Sequence, residues 1–370
     1  MIRVIDISFY ANNEYTDIAM LVKQHQASLG YIDHLKGHVN IQVVKHLDYE
    51  GTEIIKNVKY SSFKSRNSFG HIPFKTIRYI KSEKPDMVIV QGLVFPIQLT
   101  WLKISLGKRV IVLAQHHGET PFQGIKKWVQ KIADRFTTGY LFTSIENALQ
   151  WISLDIINGE KKCFELLEAS THFNKQDKLF NKQRLGLTGN LNFLWVGRLN
   201  AGKDPVTVIN AFKIFSADNP DARLFMVYQT EELLPEIKRV IELEKGLQQQ
   251  IILIGRLPNE ELERWYNAAD LYISTSLFEA TGYALLEAMA CGCIPVVTDI
   301  PSFKKVTGNG KYGFLFGPGK TNALLEQLRQ AVKADRDKMA EAISSYFQQE
   351  LSFRSIADSL YSICKKLTGK

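Results

Sequence analysis

The sequence of 370 residues has only four cysteines, and it contains no Asn-x-Ser/Thr glycosylation signal. The spacing of Cys163, Cys291, Cys293 and Cys364 matches no metal motif, and Cys291 and Cys293 flank the end of a predicted helix, where small residues pack. Free thiols are typical of a reducing compartment. The sequence therefore predicts an intracellular protein without disulfides.

Long apolar runs are also missing. The least polar window, Val88 to Leu106, is interrupted by glutamine, glycine, proline and lysine, so it predicts a buried strand and a helix, not a membrane span. The first residues, Met1 to Ser8, have the pattern of a strand and not of a signal peptide. We expect a cytoplasmic location, with peripheral contact at the inner face of the membrane left open.

No long basic run accompanies the net charge of +8 and the pI near 9.1. Without such a run or an aromatic-basic repeat, we expect no nucleic-acid partner. An anionic substrate or an anionic membrane surface explains the charge equally well. The segment Ile125 to Ile132, with lysines beside Trp128, has two interpretations: a helix lying on lipid, or a surface helix with an ordinary buried stripe, which we favour.

Strand and helix patterns alternate along the whole chain, which predicts doubly wound α/β domains with parallel sheets. Its length suits two domains. We assign residues 1–175 to the first domain, 176–190 to a polar linker, 191–350 to the second domain and 351–370 to a C-terminal helix. The predicted strands are Ile2–Ile7, Val39–Lys45, Met87–Gln91, Arg109–Ala114, Gly139–Phe142, Phe193–Val196, Leu224–Tyr228, Ile251–Ile254, Leu271–Ser274, Ile294–Thr298 and Gly313–Phe316.

Two glutamates, Glu279 and Glu287, stand eight positions apart between two apolar strands. The pattern predicts strand, loop, helix and strand, with Glu279 on the loop and Glu287 inside a helix that starts near Gly282. Carboxylates accept hydrogen bonds from sugar hydroxyls, and a helix N-terminus attracts phosphate. This combination suits a nucleotide sugar, although a solvated helix glutamate and a helix-entry acid would also fit the spacing.

A second segment places Gly197, Arg198 and Lys203 on one loop between a buried strand and a helix that begins at Asp204-Pro205. Open α/β sheets bind ligands at such loops, beyond the carboxyl ends of their strands. Two cations at this edge favour a diphosphate ligand, whereas an ordinary solvated basic loop is the alternative.

These segments, together with Ile254-Gly-Arg-Leu-Pro258, Glu287-Ala-Met-Ala and Pro295-Val-Val297, closely resemble the C-terminal domain of the family 4 retaining glycosyltransferases. The motifs occur in order between Asn192 and Gly319. The resemblance implies a GT-B fold, in which two Rossmann-like domains face each other across a cleft. It also implies an N-terminal acceptor-binding domain, a C-terminal domain that binds the nucleotide-sugar donor, and a last helix that returns to the first domain.

By the same resemblance, Glu279 holds the donor sugar, Glu287 holds the ribose, and the backbone of Arg256 and Leu257 holds the base. Arg198 and Lys203 stabilise the diphosphate together with the N–H groups from Thr281 through Gly282 to Tyr283. This set of roles needs neither a cofactor nor a metal. In agreement, Asp335-Arg-Asp337 has no strand before it and predicts a solvated helix face.

The first domain carries Gln115-His-His-Gly-Glu-Thr-Pro121 after an apolar strand. The resemblance identifies His117 as the residue that contacts the donor hexose, although a purely structural histidine remains the alternative. Glu119 is a candidate for binding an acceptor hydroxyl. The first loop, Ser8 to Glu14, lacks the Gly-Gly of many members, so its contact with phosphate is left open.

The sequence thus predicts a retaining, metal-independent glycosyltransferase that uses an NDP-sugar and a glycan or lipid-linked acceptor. Two other classes stay open: a sugar-nucleotide epimerase or phosphorylase on the same fold, and a non-catalytic NDP-sugar-binding subunit.

Overall fold

The computed structural model describes residues 1–187, 190–244 and 246–370, which form two compact units. The first unit comprises Met1–Ser170 and Phe353–Lys370, and the second comprises Thr171–Ser352. Two positions of the predicted linker, 188 and 189, lie outside the described residues. Within the described residues, no helix combines the length and the apolar character needed to cross a bilayer.

The first unit contains an eight-stranded sheet in the order β3-β4-β2-β1-β5-β6-β7-β8. All neighbouring strands are parallel except β3 and β4, which form an antiparallel hairpin at the edge. The strands are β1 (Arg3–Asn12), β2 (Asn40–Leu47), β3 (Gly51–Ile55), β4 (Val58–Phe63), β5 (Met87–Gln91), β6 (Ile111–Gln115), β7 (Gly139–Phe142) and β8 (Cys163–Glu165). The helices between them are α1 (Ile18–Gln24), α2 (Gln26–Leu29), α3 (Ile32–Leu35), α4 (Phe74–Ser82), α5 (Pro96–Leu106), α6 (Ile125–Asp134) and α7 (Ile145–Ser153).

The second unit contains a six-stranded, wholly parallel sheet in the order β11-β10-β9-β12-β13-β14. Its strands are β9 (Leu191–Gly197), β10 (Ala222–Tyr228), β11 (Ile251–Gly255), β12 (Leu271–Ser274), β13 (Ile294–Thr298) and β14 (Phe314–Phe316). Its helices are α8 (Lys178–Arg184), α9 (Pro205–Asp218), α10 (Leu234–Leu243), α11 (Leu247–Gln250), α12 (Asn259–Ala268), α13 (Tyr283–Ala290), α14 (Pro301–Val306), α15 (Thr321–Ala331) and α16 (Arg336–Tyr346).

Apolar runs explain why the central strands form where they do. Helices cover both faces of a parallel sheet, so its strands are buried on both sides and are apolar at consecutive positions. Met87 to Val90 in β5 and Leu271 to Ile273 in β12 are all at most 1% exposed. The predicted parallel α/β architecture and the eleven predicted strands are confirmed, with shifts at some ends.

Three elements differ from the sequence expectation. The strand β1 runs on to Asn12, so most of the predicted first loop is strand, and Asn67 exchanges hydrogen bonds of 2.6 Å with both backbone groups of Ala11. The hairpin of β3 and β4 was not predicted. The polar stretch expected as a linker contains α8, and its Lys178 and Lys182 bind Asp270 at 3.2 and 3.0 Å within the second unit.

The last helix, α17 (Phe353–Thr368), belongs to the first unit. It packs against α3, and the ring of Phe353 lies where a side chain at Gly30 would be. Tyr361 stacks on His38 with 4.9 Å between the ring centroids. The side chains of Ile356, Leu360 and other apolar residues of this helix are buried.

Candidate functional site

Two loops meet at the point in the second sheet where the strand order reverses. They follow β9 and β12, which are parallel neighbours, so both loops leave the same edge of the sheet. The backbone N–H of Leu277 donates to the carbonyl of Gly202 at 2.9 Å. The hydroxyl of Thr275 donates to the carbonyls of Lys203 and Asp204 at 2.9 and 2.8 Å. The two predicted segments therefore form one fixed surface.

The loop after β9 presents the predicted cations. The chain makes a short 3-10 turn from Ala201 to Lys203, and the side chain of Asn200 accepts from the N–H of Lys203 at 3.1 Å. Asp204 then caps α9, as predicted, by accepting from the N–H of Thr207. Arg198 is exposed, and its guanidinium has no ion-pair partner in the described part of the chain. It is therefore available to an anion.

Lys203 is already paired. Its ammonium group binds the carboxylate of Glu279, and the two side chains are 21% and 16% exposed. The predicted phosphate-binding cation and the predicted sugar-binding carboxylate thus lie in direct contact. In a partly buried position the two opposite charges stabilise each other, because removing either one leaves the other as an unpaired charge.

The helix α13 begins where the sequence predicts. Gly282 precedes it with φ +91°, and a side chain at this position would lie 2.4 Å from the ring of Phe303. Only glycine fits both the backbone angle and the space. Among the described residues no side chain caps this helix start, where Thr281 is buried and Tyr283 is half exposed. The positive end of the helix dipole lies at the same loop as Glu279.

Glu287 lies inside α13, as predicted, while Glu279 lies on the loop before it. The hydroxyl of Tyr266, from α12, donates to the carboxylate of Glu287 at 3.0 Å. Burial raises the pKa of Glu287 to about 7, although the Tyr266 hydroxyl acts in the opposite direction. The residue predicted to bind ribose therefore changes its charge near neutral pH.

The predicted base-binding residues follow β11 at the edge of the sheet. Arg256 is exposed and Leu257 is partly buried. The strand β10 lies between β11 and β9, so these residues share the carboxyl edge of the sheet with Arg198 but lie two strands away. Their contact with a base stays a prediction.

The other predicted residues lie in the first unit, after β6. The ring of His117 has an acceptor at each nitrogen: Glu168 at Nδ1, and the amide oxygen of Gln91 at Nε2, 2.6 Å away. Burial alone would lower the pKa of His117, but the hydrogen bond and the charge of Glu168, with the charge of Glu119, raise it above its ordinary value. Two acceptors suit the doubly protonated, cationic ring.

His117 is the partly exposed end of a longer polar network whose other members reach into the first unit. The amide nitrogen of Gln91 donates to Asp6, which is buried in β1. Asp6 also binds Lys45 at 3.2 Å and accepts from the Tyr31 hydroxyl at 3.2 Å. Charges of alternating sign therefore run from the sheet interior to the histidine, and each one has a partner.

Glu119 stabilises its own loop. One carboxylate oxygen accepts from the N–H of His117 at 2.7 Å, and the other accepts from the N–H of Leu93 at 3.1 Å. Gly92 allows this approach, because a side chain there would lie 2.8 Å from the carboxylate. With one donor at each oxygen, Glu119 orients the histidine loop, and each oxygen keeps a lone pair that could accept from an acceptor hydroxyl, so that contact stays a prediction.

A cavity of about 220 Å³ lies near the carboxyl end of β1 in the same unit. Phe9, Tyr10, Phe69 and Phe95 give it aromatic walls, and Arg66 is among its polar lining residues. Aromatic walls with a few polar groups are common in small-molecule sites.

Metal ligands were not expected, and Asp335 and Asp337 were predicted to be solvated. Both are exposed at the start of α16, where Asp335 caps the helix through the N–H of Lys338. In the part of the chain that the structure describes, no three His, Cys, Asp or Glu side chains are grouped as a metal site would need.

A family model described as "Glycosyl transferases group 1" matches residues 160–350, which are 191 of the 370 residues. The chain belongs to this family. The matched region includes all the predicted residues of the second unit. It also includes Glu168 but not His117.

Among individual relatives, the GDP-mannose:cellobiosyl-diphosphopolyprenol alpha-mannosyltransferase of Xanthomonas oryzae is 27% identical over 145 residues, which are 39% of this chain and 38% of that protein. The chain spans 31 to 38% of the length of the curated relatives that it matches first.

Solved structures resemble the whole chain. Sucrose-phosphate synthase from Thermosynechococcus elongatus has a TM-score of 0.70 at 15% identity and covers 100% of both chains. The Anabaena protein Alr3699/HepE in complex with UDP-glucose has a TM-score of 0.71 at 15% identity, covering 99% of this chain and 100% of that one. The predicted GT-B fold with two Rossmann-like sheets is confirmed.

Sequence reasoning missed three residues of these sites. Glu168 follows a strand of only three residues, too short for a periodic signal, and it reaches His117 across 51 positions of sequence. Tyr266 lies within a helix that has a polar outer face. Asp6 was part of a predicted strand, and an acid inside an apolar strand was the one signal that could have indicated it.

Proposed function

We propose that this chain is a family 4 retaining glycosyltransferase that moves a hexose-type sugar from an NDP-sugar to an acceptor hydroxyl. The reaction would serve the synthesis of a polysaccharide, lipopolysaccharide or other glycoconjugate. One observation carries the proposal. Two joined loops at the switch point of the second sheet hold Arg198, the Lys203–Glu279 pair and the start of α13. The region that contains them matches a glycosyltransferase family.

The reaction needs stabilisation of negative charge on the departing diphosphate. Arg198 is free to bind it, Lys203 can turn from Glu279 towards it, and the start of α13 adds a positive dipole end. In this proposal Glu279, released in part from Lys203, accepts hydrogen bonds from the sugar hydroxyls. In this proposal the positive charges of the protein take the place of a metal ion, so catalysis is metal-independent.

In the first unit, the cationic ring of His117 would donate a hydrogen bond from Nε2 to a sugar hydroxyl in place of Gln91. Glu168 keeps the proton at Nδ1 and fixes the ring. The acceptor would enter the aromatic cavity beside Phe9 and Phe95. This proposal assigns acceptor binding to the cavity of the first unit and nucleotide binding to the second unit, with His117 contacting the donor sugar.

The relatives support the substrate classes. The Xanthomonas protein is named for GDP-mannose and a diphosphopolyprenol acceptor, and Alr3699/HepE was solved with UDP-glucose. We therefore propose an NDP-sugar donor and a glycan or lipid-linked acceptor. We also propose a cytoplasmic enzyme with peripheral contact at the inner face of the membrane.

The test measures NDP release from a panel of NDP-sugars, with and without a lipid-diphosphate-linked sugar acceptor, in EDTA. A transferase releases NDP when the acceptor is added, and NMR of the product should show the anomeric configuration of the donor. Turnover without an acceptor would indicate an epimerase, and dependence on free phosphate would indicate a phosphorylase. Tight NDP-sugar binding with no turnover in any arm would indicate a non-catalytic subunit.

A further inference from the structure

The helix α6 exposes its apolar side and buries polar residues, which is the reverse of an ordinary surface helix. Its buried residues are Gln130, Ala133 and Asp134, whereas Ile125, Trp128 and Ile132 are 81%, 65% and 51% exposed. Positions 125, 128 and 132 lie on one side of a helix. The favoured interpretation of an ordinary buried stripe is therefore wrong, and the apolar stripe points to solvent.

Two neighbouring helices extend this apolar surface. The helix α5 packs against both α4 and α6, and it exposes Trp101 and Ile104, which are three positions apart. The exposed ring of Phe74, at the start of α4, contacts Trp101 edge to face at 6.0 Å. We call Phe74, Trp101, Ile104, Ile125, Trp128 and Ile132 the three-helix face. Apolar groups in such number on one side of a unit mark an interaction surface.

The charge of these helices is mostly positive. Lysine and arginine number three in α4, one in α5 and three in α6, seven together, against a single acid, Asp134. Asp134 is buried, where it accepts from the Tyr140 hydroxyl at 3.0 Å and binds Lys162 at 2.9 Å. Lys131 lies over the ring of Trp128 at 5.2 Å. Of the seven cations, Lys75 pairs with Glu50 and Lys131 pairs with the exposed Asp155, both acids lying outside these helices. Solvent thus meets apolar side chains bordered by an excess of cations.

We propose that the three-helix face lies on an anionic lipid bilayer. Tryptophan prefers the membrane interface, isoleucine enters the acyl boundary, and lysines flanking them attract anionic headgroups. A second copy of the chain would bring two basic faces together, so charge disfavours self-association. A nucleic acid would bind the lysines but would leave the isoleucines exposed. The proposal names a surface for peripheral contact, and it rests on the proposed function only for the choice of the inner leaflet.

The experiment uses the full chain and sedimentation with phosphatidylglycerol-containing vesicles, with phosphatidylcholine vesicles as reference and no nucleotide sugar present. We expect binding to the anionic vesicles that weakens with salt. The Ile125→Ser/Ile132→Ser variant should bind at least about tenfold more weakly, since two aliphatic side chains no longer leave water. Lys126→Gln/Lys127→Gln should lose about fivefold for each lysine.

Matched controls come from the second unit. Leu179→Ser/Leu243→Ser removes two apolar side chains that are 70% and 73% exposed, and Lys333→Gln/Lys338→Gln removes two exposed lysines. Both controls should bind vesicles within about twofold of the wild type. Equal losses in face and control variants, no vesicle binding, or binding to duplex RNA in place of vesicles would each overturn the proposal.

A separate measurement keeps this inference apart from the proposed function. NDP-induced thermal stabilisation does not involve the three-helix face, so it should be unchanged in Ile125→Ser/Ile132→Ser. Loss of vesicle binding with intact NDP binding supports the face. If NDP does not stabilise the wild type against heat, the transferase proposal is contradicted, and the result of the vesicle experiment still stands.

Discussion

The carboxyl group of Glu287 should make NDP affinity depend on pH. Its pKa is raised to about 7 by burial, and its one hydrogen-bond donor from the described residues is the Tyr266 hydroxyl. A carboxylate binds ribose hydroxyls more strongly than a neutral carboxyl, because hydrogen bonds to charged groups are stronger. NDP should therefore bind more tightly as the pH rises through 7.

The size of the effect follows from the ionised fraction. With a pKa of about 7, about one tenth of Glu287 is ionised at pH 6 and about nine tenths at pH 8. If the ionised form alone is competent, the apparent Kd scales inversely with that fraction. The Kd should thus fall about tenfold between pH 6 and pH 8, which corresponds to about 1.4 kcal/mol.

Calorimetric titration of NDP at five pH values measures this directly. The phosphates of NDP titrate in the same range, so the comparison is with Glu287→Gln, which keeps the phosphate contribution and loses the carboxyl one. Glu279→Gln serves as a second control. It keeps the carboxyl of Glu287, so the pH dependence should be retained, although release of Lys203 from its ion pair changes the absolute affinity. Parallel pH curves for the wild type and Glu287→Gln would refute the reasoning.

The pKa of Glu287 should also make the thermal stability of the protein depend on pH. A carboxyl whose pKa is raised in the folded state keeps its proton there while the unfolded chain loses it. The free energy of unfolding therefore falls as the pH rises from the unfolded-state pKa, near 4.3, to the folded-state pKa of about 7. The Tm of Glu287→Gln minus that of the wild type should therefore increase between pH 5 and pH 8. A constant Tm difference would show that Glu287 keeps an ordinary pKa.

Arg198→Ala and Lys203→Ala should each weaken NDP binding by about ten- to a hundredfold, since a charge-assisted contact contributes about 1.5 to 3 kcal/mol; unchanged calorimetric affinity in both would end their assignment. Glu279→Gln should lower the transfer rate or alter sugar preference without weakening NDP binding, because it also frees Lys203 from its ion pair, and a loss of NDP affinity alone would reverse the two glutamate roles. Transfer should continue in EDTA, whereas complete loss restored by Mn²⁺ would contradict a metal-independent reaction. In Glu168→Gln, NMR titration should show a lower pKa for His117, and the stability advantage of the wild type should be full below pH 6.5 and disappear as the pH rises through the raised pKa.

Much of the second unit could be predicted because its signals are local. A buried strand, a capping Asp204 before Pro205, and glycine at the start of α13 each depend on neighbours in sequence. The placement of Glu279 ahead of the helix and Glu287 within it followed from the same rules. Local rules do not reach across the chain, however, and the ion pair between Lys203 and Glu279 joins residues 76 positions apart.

The first unit shows why other features escaped prediction. The turn between β3 and β4 uses positive φ angles at Lys56 and Asn57, a hairpin signal that only Asn57 indicates in sequence. The orientation of α6 also lay beyond periodicity, which finds a stripe but does not say which side meets the sheet. Here Gln130 binds the carbonyl of Leu93 and Asp134 binds Lys162, so polar contacts set the buried side.

The membership of α17 in the first unit has a consequence for how the chain is made. The ribosome must finish the second unit, residues 171–352, before it adds the helix that completes the first. Until then Gly30, Met87 and His38 lack their contacts with Phe353, Cys364 and Tyr361. The second unit is continuous and can fold during synthesis, whereas the first unit, although its strands emerge earlier, should reach its final stability only after α17 has emerged from the ribosome.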